Sequence, residues 1–248
     1  GISYSATGIV DSCYNLGAVS AMATGGTLAN GGVVGLAKNC DIINVFNIGM
    51  VTVETDIQNG PYIGGVIGKA ENDTIILNTY NYGTVTGIGS SATDIQVGGI
   101  VGIVASLGTD PIVPRVTLSN CYNMGELNGV NTGGITGNLY LNNLLVDYCY
   151  NLSQNLNGTL SIGGISARCD RVVDNVEYTF SNCYNINETY FGTTIGTNTT
   201  VTNTGLINAD GTFPNSTPYP DLLTALNAWV DANKSTYPEL KNWVRGDN

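Results

Sequence analysis

Histidine is absent from the 248 residues. With it go the commonest general base near neutral pH and a leading ligand of soft metals. Charge is scarce as well. Lys and Arg number 8 against 19 Asp and Glu, 11% of the chain together, for a net charge of −11 and a pI near 4.1. Nucleic acid is excluded as a partner, because its phosphates need a basic surface. No apolar run reaches the roughly 18 residues of a membrane-spanning helix, so no span is expected in this segment. The sequence opens at Gly1 without a basic start or an apolar core, so any secretion leader is expected to be gone already. EF-hand loops, P-loops, Gly-x-Ser-x-Gly elbows and zinc-type Cys/His spacings are all missing.

What is present is glycine, 33 residues of it, with Asn and Thr throughout and short apolar runs between. That composition suits many short strands with tight turns and is poor material for a helical bundle. Glycine pairs recur at Gly31-Gly32, Gly64-Gly65, Gly98-Gly99, Gly133-Gly134 and Gly163-Gly164, with steps of 33, 34, 35 and 30 residues between second glycines. A second landmark alternates with them: Cys13-Tyr14-Asn15, Val45-Phe46-Asn47, Thr79-Tyr80-Asn81, Cys121-Tyr122-Asn123, Cys149-Tyr150-Asn151 and Cys183-Tyr184-Asn185. Internal repetition at this period signals a solenoid. The expected fold is all-β: a right-handed parallel β-helix of about six coils, three strands to a coil, with a short helical C-terminal cap.

Cys, Val and Thr have similar volumes, so the residue before the aromatic reads as one small inward position repeated coil after coil. Its cysteines are then unpaired thiols acting as small hydrophobes, against the alternative of disulfides between coils. Cys40 and Cys169 lie outside that column. The aromatic is expected to face outward or stack at a corner, and the asparagine to form a ladder bonding the next turn's backbone. The repeats cover residues 1–213, imperfectly from about 186. Residues 214–248 read as a linker and cap, with Asp221 capping a helix that carries Leu222, Leu223, Leu226, Trp229 and Val230. Both tryptophans read as packing residues, against the alternative of a cofactor or sugar platform.

Gly-Gly-Val-Val-Gly, Gly-Gly-Val-Ile-Gly and Gly-Gly-Ile-Val-Gly, each followed by a Tyr/Phe-Asn-x-Gly segment, resemble the GLUG-motif repeats of bacterial surface proteins. The resemblance spans roughly residues 8–190. It implies an extracellular or cell-surface module, of the kind found in adhesin-like proteins and secreted peptidases. The third glycine is lost at Ala167 and the turn glycine at Ser153.

From the second glycine of a pair to the following asparagine the spans are 15, 16, 24, 17 and 21 residues, so insertions are loaded onto particular corners. The long ones carry Asp110, and Asp170 with Asp174. Lys38, Lys69, Arg115, Arg168 and Arg171 all fall between a glycine pair and its Tyr-Asn. The bland reading is a solubilised edge whose bases offset nearby acids. The sharper reading is a ligand-facing edge of Arg115, Arg168, Arg171, Asp110, Asp170 and Asp174. The repeated Thr55-Asp56-Ile57-Gln58 and Thr93-Asp94-Ile95-Gln96 are expected to place carboxylates on adjacent coils, either as a repeated turn or as a calcium site at Asp56 and Asp94. No other cofactor is expected. The leading functional expectation is a non-enzymatic stalk or adhesin-type segment whose partner is a host or bacterial surface protein or glycan. The alternative is a carbohydrate-binding or carbohydrate-cleaving β-helix.

Overall fold

The computed structural model describes residues 2–3, 8–24, 28–56, 59–89, 94–105, 115–140, 143–170, 177–186, 191–192, 199–214 and 219–245. The described residues form a parallel β-solenoid with one short helix. A representative turn runs Asp41–Ile43, Phe46–Asn47, Val51–Thr55, Asn59–Gly64, Ile67–Glu71. Each turn therefore uses up to five short strands, where the sequence suggested three. Stacked turns build four parallel sheets. Sheet I holds Ile67–Glu71 and its equivalents, sheet II Asp41–Ile43, sheet III the Tyr-Asn dipeptides, and sheet IV both long segments. Five turns visit all four sheets, and two partial turns follow through Tyr178–Ser181 with Tyr184–Asn185, and Thr199–Thr202 with Gly205–Leu206.

The interior is divided. Sheets I, II and III enclose one apolar cluster that includes Val34, Ile42, Ile67, Ile76, Val101 and Phe180. The two segments of sheet IV fold against each other around a second, with Val51, Val53, Ile63, Val85, Ile95, Val97 and Leu127. A neck joins the two lobes, and the repeat motif marks it. The second glycine of each pair faces the asparagine of the aromatic-Asn dipeptide that follows it in the chain, in the next turn. A Cβ built on Gly65 would lie 2.3 Å from Asn81 Cγ, and one on Gly99 would lie 2.5 Å from Asn123 Cγ. The two landmarks of the sequence are thus the two halves of one contact. In the last two complete turns the loop of sheet IV closes up, leaving the continuous strands Leu127–Gly133 and Leu156–Gly163.

The asparagines form the expected ladder, but they bond side chain to side chain. Asn15, Asn47, Asn81, Asn123 and Asn151 each donate Nδ2 to Oδ1 of the next, at 2.8, 2.9, 2.9, 3.0 and 2.8 Å, ending at Asn185. The first four also donate to the carbonyl two residues on, as Asn81 does to Gly83 at 2.8 Å. A second ladder lies at the corner between sheets II and III. Ser12, Asn44, Asn78, Asn120, Tyr148, Asn182 and Asn203 all have φ between 49° and 56°. Asparagine tolerates this left-handed region best among residues with a Cβ. Here Asn78 Nδ2 donates to Asn44 Oδ1 at 2.7 Å and Asn120 Nδ2 to Asn78 Oδ1 at 2.9 Å.

All six cysteines are free thiols. In the column before the aromatic, Cys121, Cys149 and Cys183 donate to the carbonyl two residues earlier, at 3.3, 3.5 and 3.1 Å, and Thr79 does the same at 3.0 Å. Thiol and hydroxyl are interchangeable there because both are small donors meeting the same acceptor. Burial pushes the Cys183 and Cys169 thiols up to about 12, and raises Cys149 well above its ordinary value. A thiol raised on folding keeps its proton in the native state while its unfolded counterpart ionises near 9. Its stabilising contribution is complete below that pH and is lost as pH climbs toward the folded value. Stability in urea is expected to fall from about pH 8.5 upward, each such thiol adding up to about 1.4 kcal/mol per pH unit. Cys183→Val should flatten the slope between pH 9 and 10; an unchanged slope would count against buried thiols as its source.

The helix, α1 (Leu222–Asn233), starts as expected, with Asp221 accepting from Thr224 N at 2.8 Å. Its seat is the flank of the solenoid, not the open end. Leu226 and Ala225 pack with Tyr122, Tyr150 and Leu152, and Trp229, Val230 and Leu240 pack with Ile43 and Leu77. The segment after the helix is held by the corner ladder. Asn44 and Asn78 spend amide hydrogens on the carbonyls of Glu239 and Lys241 at 2.7 and 2.9 Å, and Asn120 donates to Leu226 O at 3.2 Å.

Candidate functional site

Two places bring chemistry-bearing side chains together. The first is a seam between sheet I and the second segment of sheet IV. Arg168 of Ser166–Asp170 reaches Asp94 Oδ1, two turns away in Asp94–Gly98, at 2.6 Å, and pairs Asp170 Oδ2 at 2.6 Å. Asn131 Nδ2 also donates to Asp94 Oδ1, at 3.1 Å, as does Gln96 Nε2; Asn138 Nδ2 donates to Asp170 Oδ2 at 3.0 Å. Tyr62 lies beside Asp94 and Tyr140, both of which push its hydroxyl further up beyond the effect of burial. Lys69 sits 6.0 Å over the Tyr62 ring and pairs with the buried Glu71, which Lys38 also approaches at 3.5 Å. Burial raises Asp94, the Arg168 guanidinium pulls it back, and Asp170 adds a smaller upward push. The amide oxygens of Gln96, Asn131 and Asn138 are buried with no donor among the described residues.

The ligand-facing edge expected from sequence is therefore partly assembled. Arg168 and Asp170 meet, joined by Asp94 from the expected calcium pair. Arg115 opens a sheet II strand, Arg115–Ser119; Asp110, Arg171 and Asp174 lie outside the described residues. Asp56 does not stack on Asp94. The stacked glycine pairs set the register, and Asp56 precedes Gly64 by eight residues while Asp94 precedes Gly98 by only four. Asp94 consequently faces Asn59, and Asp56 is exposed beyond Val51–Thr55. Among the described residues no three His, Cys, Asp or Glu side chains gather as a metal centre. Tyr62, Tyr140, Asn131 and Asn138 escaped sequence reading, and Gln96 was read only as the end of the repeated Thr93-Asp94-Ile95-Gln96 segment. Gln96 and Asn131 are the residues two before a glycine pair, a signal that was available.

Chemically, the seam is an ion-pair network with its carboxylate oxygens largely occupied. Asp94 Oδ1 alone receives three donors, which leaves it poorly placed to protonate a leaving group or activate water. Arg168→Ala should leave two part-buried carboxylates facing each other and cost about 1–2 kcal/mol at pH 7. The loss should shrink near pH 4 as Asp94 takes up a proton. Denaturation at both pH values measures it, and an equal loss at both would show that Arg168 acts by packing alone.

The second place is sheet III's outer face. Tyr14, Phe46, Tyr80 and Tyr122 stack in near-parallel planes with centroids 5.1, 4.7 and 5.1 Å apart. Tyr150 and Tyr184 continue the file at 5.8 Å. Trp243 leans on Tyr80 and Tyr122 at 59° and 58°, and Tyr82 meets the same two rings edge-on. The expectation of a packing tryptophan holds for Trp229, which is buried among Ile43, Leu77 and Leu240. Trp243 packs too, but it borders open clefts.

No protein-family model, no curated protein and no solved structure matches the chain. Among the described residues no helix is long and apolar enough to cross a membrane.

Proposed function

We propose that the chain is a non-enzymatic, GLUG-like interaction module of a bacterial cell surface, a stiff stalk or adhesin-type segment that presents side faces to a surface protein or glycan. The observation that carries this reading is the state of the acids. Among the described residues the carboxylates best placed for chemistry, Asp94 and Asp170, share one guanidinium and are tied down by amides. A glycoside hydrolase of this architecture needs an acid and a base free on either side of a bond. Stiffness has support in two asparagine ladders, an aromatic file and continuous strand pairing, all running along one axis.

The test is a binding screen run alongside a turnover assay. The purified chain is applied to arrays of neutral and acidic glycans and to surfaces coated with matrix proteins, while released reducing ends and unsaturated uronates are monitored. Retention on at least one surface without product is the expected result. Product formation that disappears in Arg168→Ala or Asp94→Asn would overturn the reading in favour of a carbohydrate-cleaving β-helix.

A further inference from the structure

Two clefts of about 530 and 460 Å³ lie between sheet III and the C-terminal segment, and they share Tyr82, Tyr122, Trp243 and Val244. Each is of the size that holds a small ligand, about 300–1,000 Å³. Rings inside the stacked file are covered by their neighbours and offer only edges. Tyr82 and Trp243 stand out of that file, at 84–88° and 58–59° to it, and so wall the space differently. Tyr82 is about half exposed, at 47%. Trp243 Nε1–H is buried with no acceptor among the described residues; it is closed to the cleft, and the indole offers its ring alone. The larger cleft adds Met124 and Leu152 as apolar wall, with Asp210, Asp221 and Arg245 at its rim. Asp221 is engaged as the helix cap. Thr212 donates to Asp210 from N at 3.0 Å and from its hydroxyl at 2.7 Å, holding that carboxyl below its usual range.

We propose that the larger cleft binds a pyranose ring of a neutral glycan. The ring's apolar face lies against Tyr82 and Trp243, and its hydroxyls donate to Asp210. A fixed anionic acceptor and an aromatic wall match a ring that has one apolar face and an equator of hydroxyls. Two acids to one base at the rim, on a chain of net charge −11, disfavour uronates and sialates. This inference rests on the interaction-module reading and names a ligand class and a place for it.

Calorimetric titration of the whole chain with millimolar maltotriose, cellotriose, mannotriose, chitotriose and trigalacturonate is the test. At least one neutral trisaccharide should bind, and trigalacturonate should bind more weakly or not at all. Tyr82→Ala, at an exposed position, should weaken binding about ten-fold. Asp210→Asn keeps the shape but loses the anionic acceptor, and should weaken it about five-fold. Unchanged affinity in both variants, loss in Arg168→Ala instead, preference for trigalacturonate, or silence with all four neutral sugars would each overturn the site. Retention of the chain on protein-coated surfaces in any of those cases would leave the interaction-module reading standing.

Discussion

Gly99→Ala is expected to leave no stable solenoid. A Cβ on Gly99 would sit 2.1 Å from the Gly134 carbonyl oxygen and 2.5 Å from Asn123 Cγ. Neither neighbour can yield. Gly134 is held by its own N–H bond to Gly163 O at 2.9 Å, and Asn123 is fully buried between two rungs of its ladder. Overpacking of a core commonly costs about 1–3 kcal/mol; a clash against hydrogen-bonded backbone on one side and a buried amide on the other should exceed about 4 kcal/mol. The expected readout is loss of the cooperative transition in circular dichroism and loss of thiol protection. Adding Asn123→Ala should not rescue the variant, because the clash with the Gly134 oxygen remains. Gly17→Ala is the control. It is a turn glycine of the same repeat in the first turn, where the nearest atom to a Cβ is Asn15 Oδ1 at 3.9 Å, and it should be tolerated. A Gly99→Ala protein that melts near the parent's temperature would mean that the neck is not the tight point of the fold.

The neck also marks how far the sequence could be read. The glycine pair, the small position before the aromatic and the aromatic-Asn dipeptide were legible because each is one position of the turn repeated in every turn. A repeat marks equivalence between turns and says nothing about which positions meet across a turn. That Gly99 touches Asn123, 24 residues on, follows only once the cross-section pinches into two lobes. The pinch is also why five short strands replace the three expected. Register was misread at Asp56 and Asp94 because similar tetrapeptides sit at different distances from the glycine pair. The corner ladder was visible as an asparagine three residues before the ladder asparagine in Asn44, Asn78, Asn120 and Asn182, yet it passes for ordinary turn composition. The seat of α1 was not legible. An amphipathic helix shows which face it buries, whereas its place on the flank depends on the outward residues Ile43, Leu77 and Tyr122, whose direction follows from the unseen cross-section. The Arg168–Asp94 pair, 74 residues apart, lay beyond reach for the same reason.

The inner asparagine ladder makes the sharpest energetic test of how this fold is held. Asn123 accepts from Asn81 Nδ2 at 2.9 Å and from Gly125 N at 3.1 Å, and donates to Asn151 Oδ1 at 3.0 Å and Gly125 O at 3.2 Å. Alanine in its place removes all four bonds and brings no water to replace them, since the site is sealed. Each abandoned buried group costs about 1–3 kcal/mol. Asn81 keeps its bond to Gly83 O, and Asn151 Oδ1 keeps Ser153 N at 3.3 Å, so the sum should settle near 3–5 kcal/mol. Asn15→Ala removes the same chemistry at the half-exposed first rung, where solvent can take over, and should cost about 1 kcal/mol. Asn123→Asp should be worse than alanine at neutral pH, because a buried carboxylate faces the Asn151 oxygen. Its folded pKa is raised, so stability should recover as pH falls through that value and the acid becomes a donor again. Urea unfolding of the three variants at pH 7, with the aspartate repeated at pH 4.5, separates the contributions. Equal losses at Asn15 and Asn123, or an aspartate variant indifferent to pH, would mean that strand pairing and glycine packing hold the turns together and the ladder merely follows them.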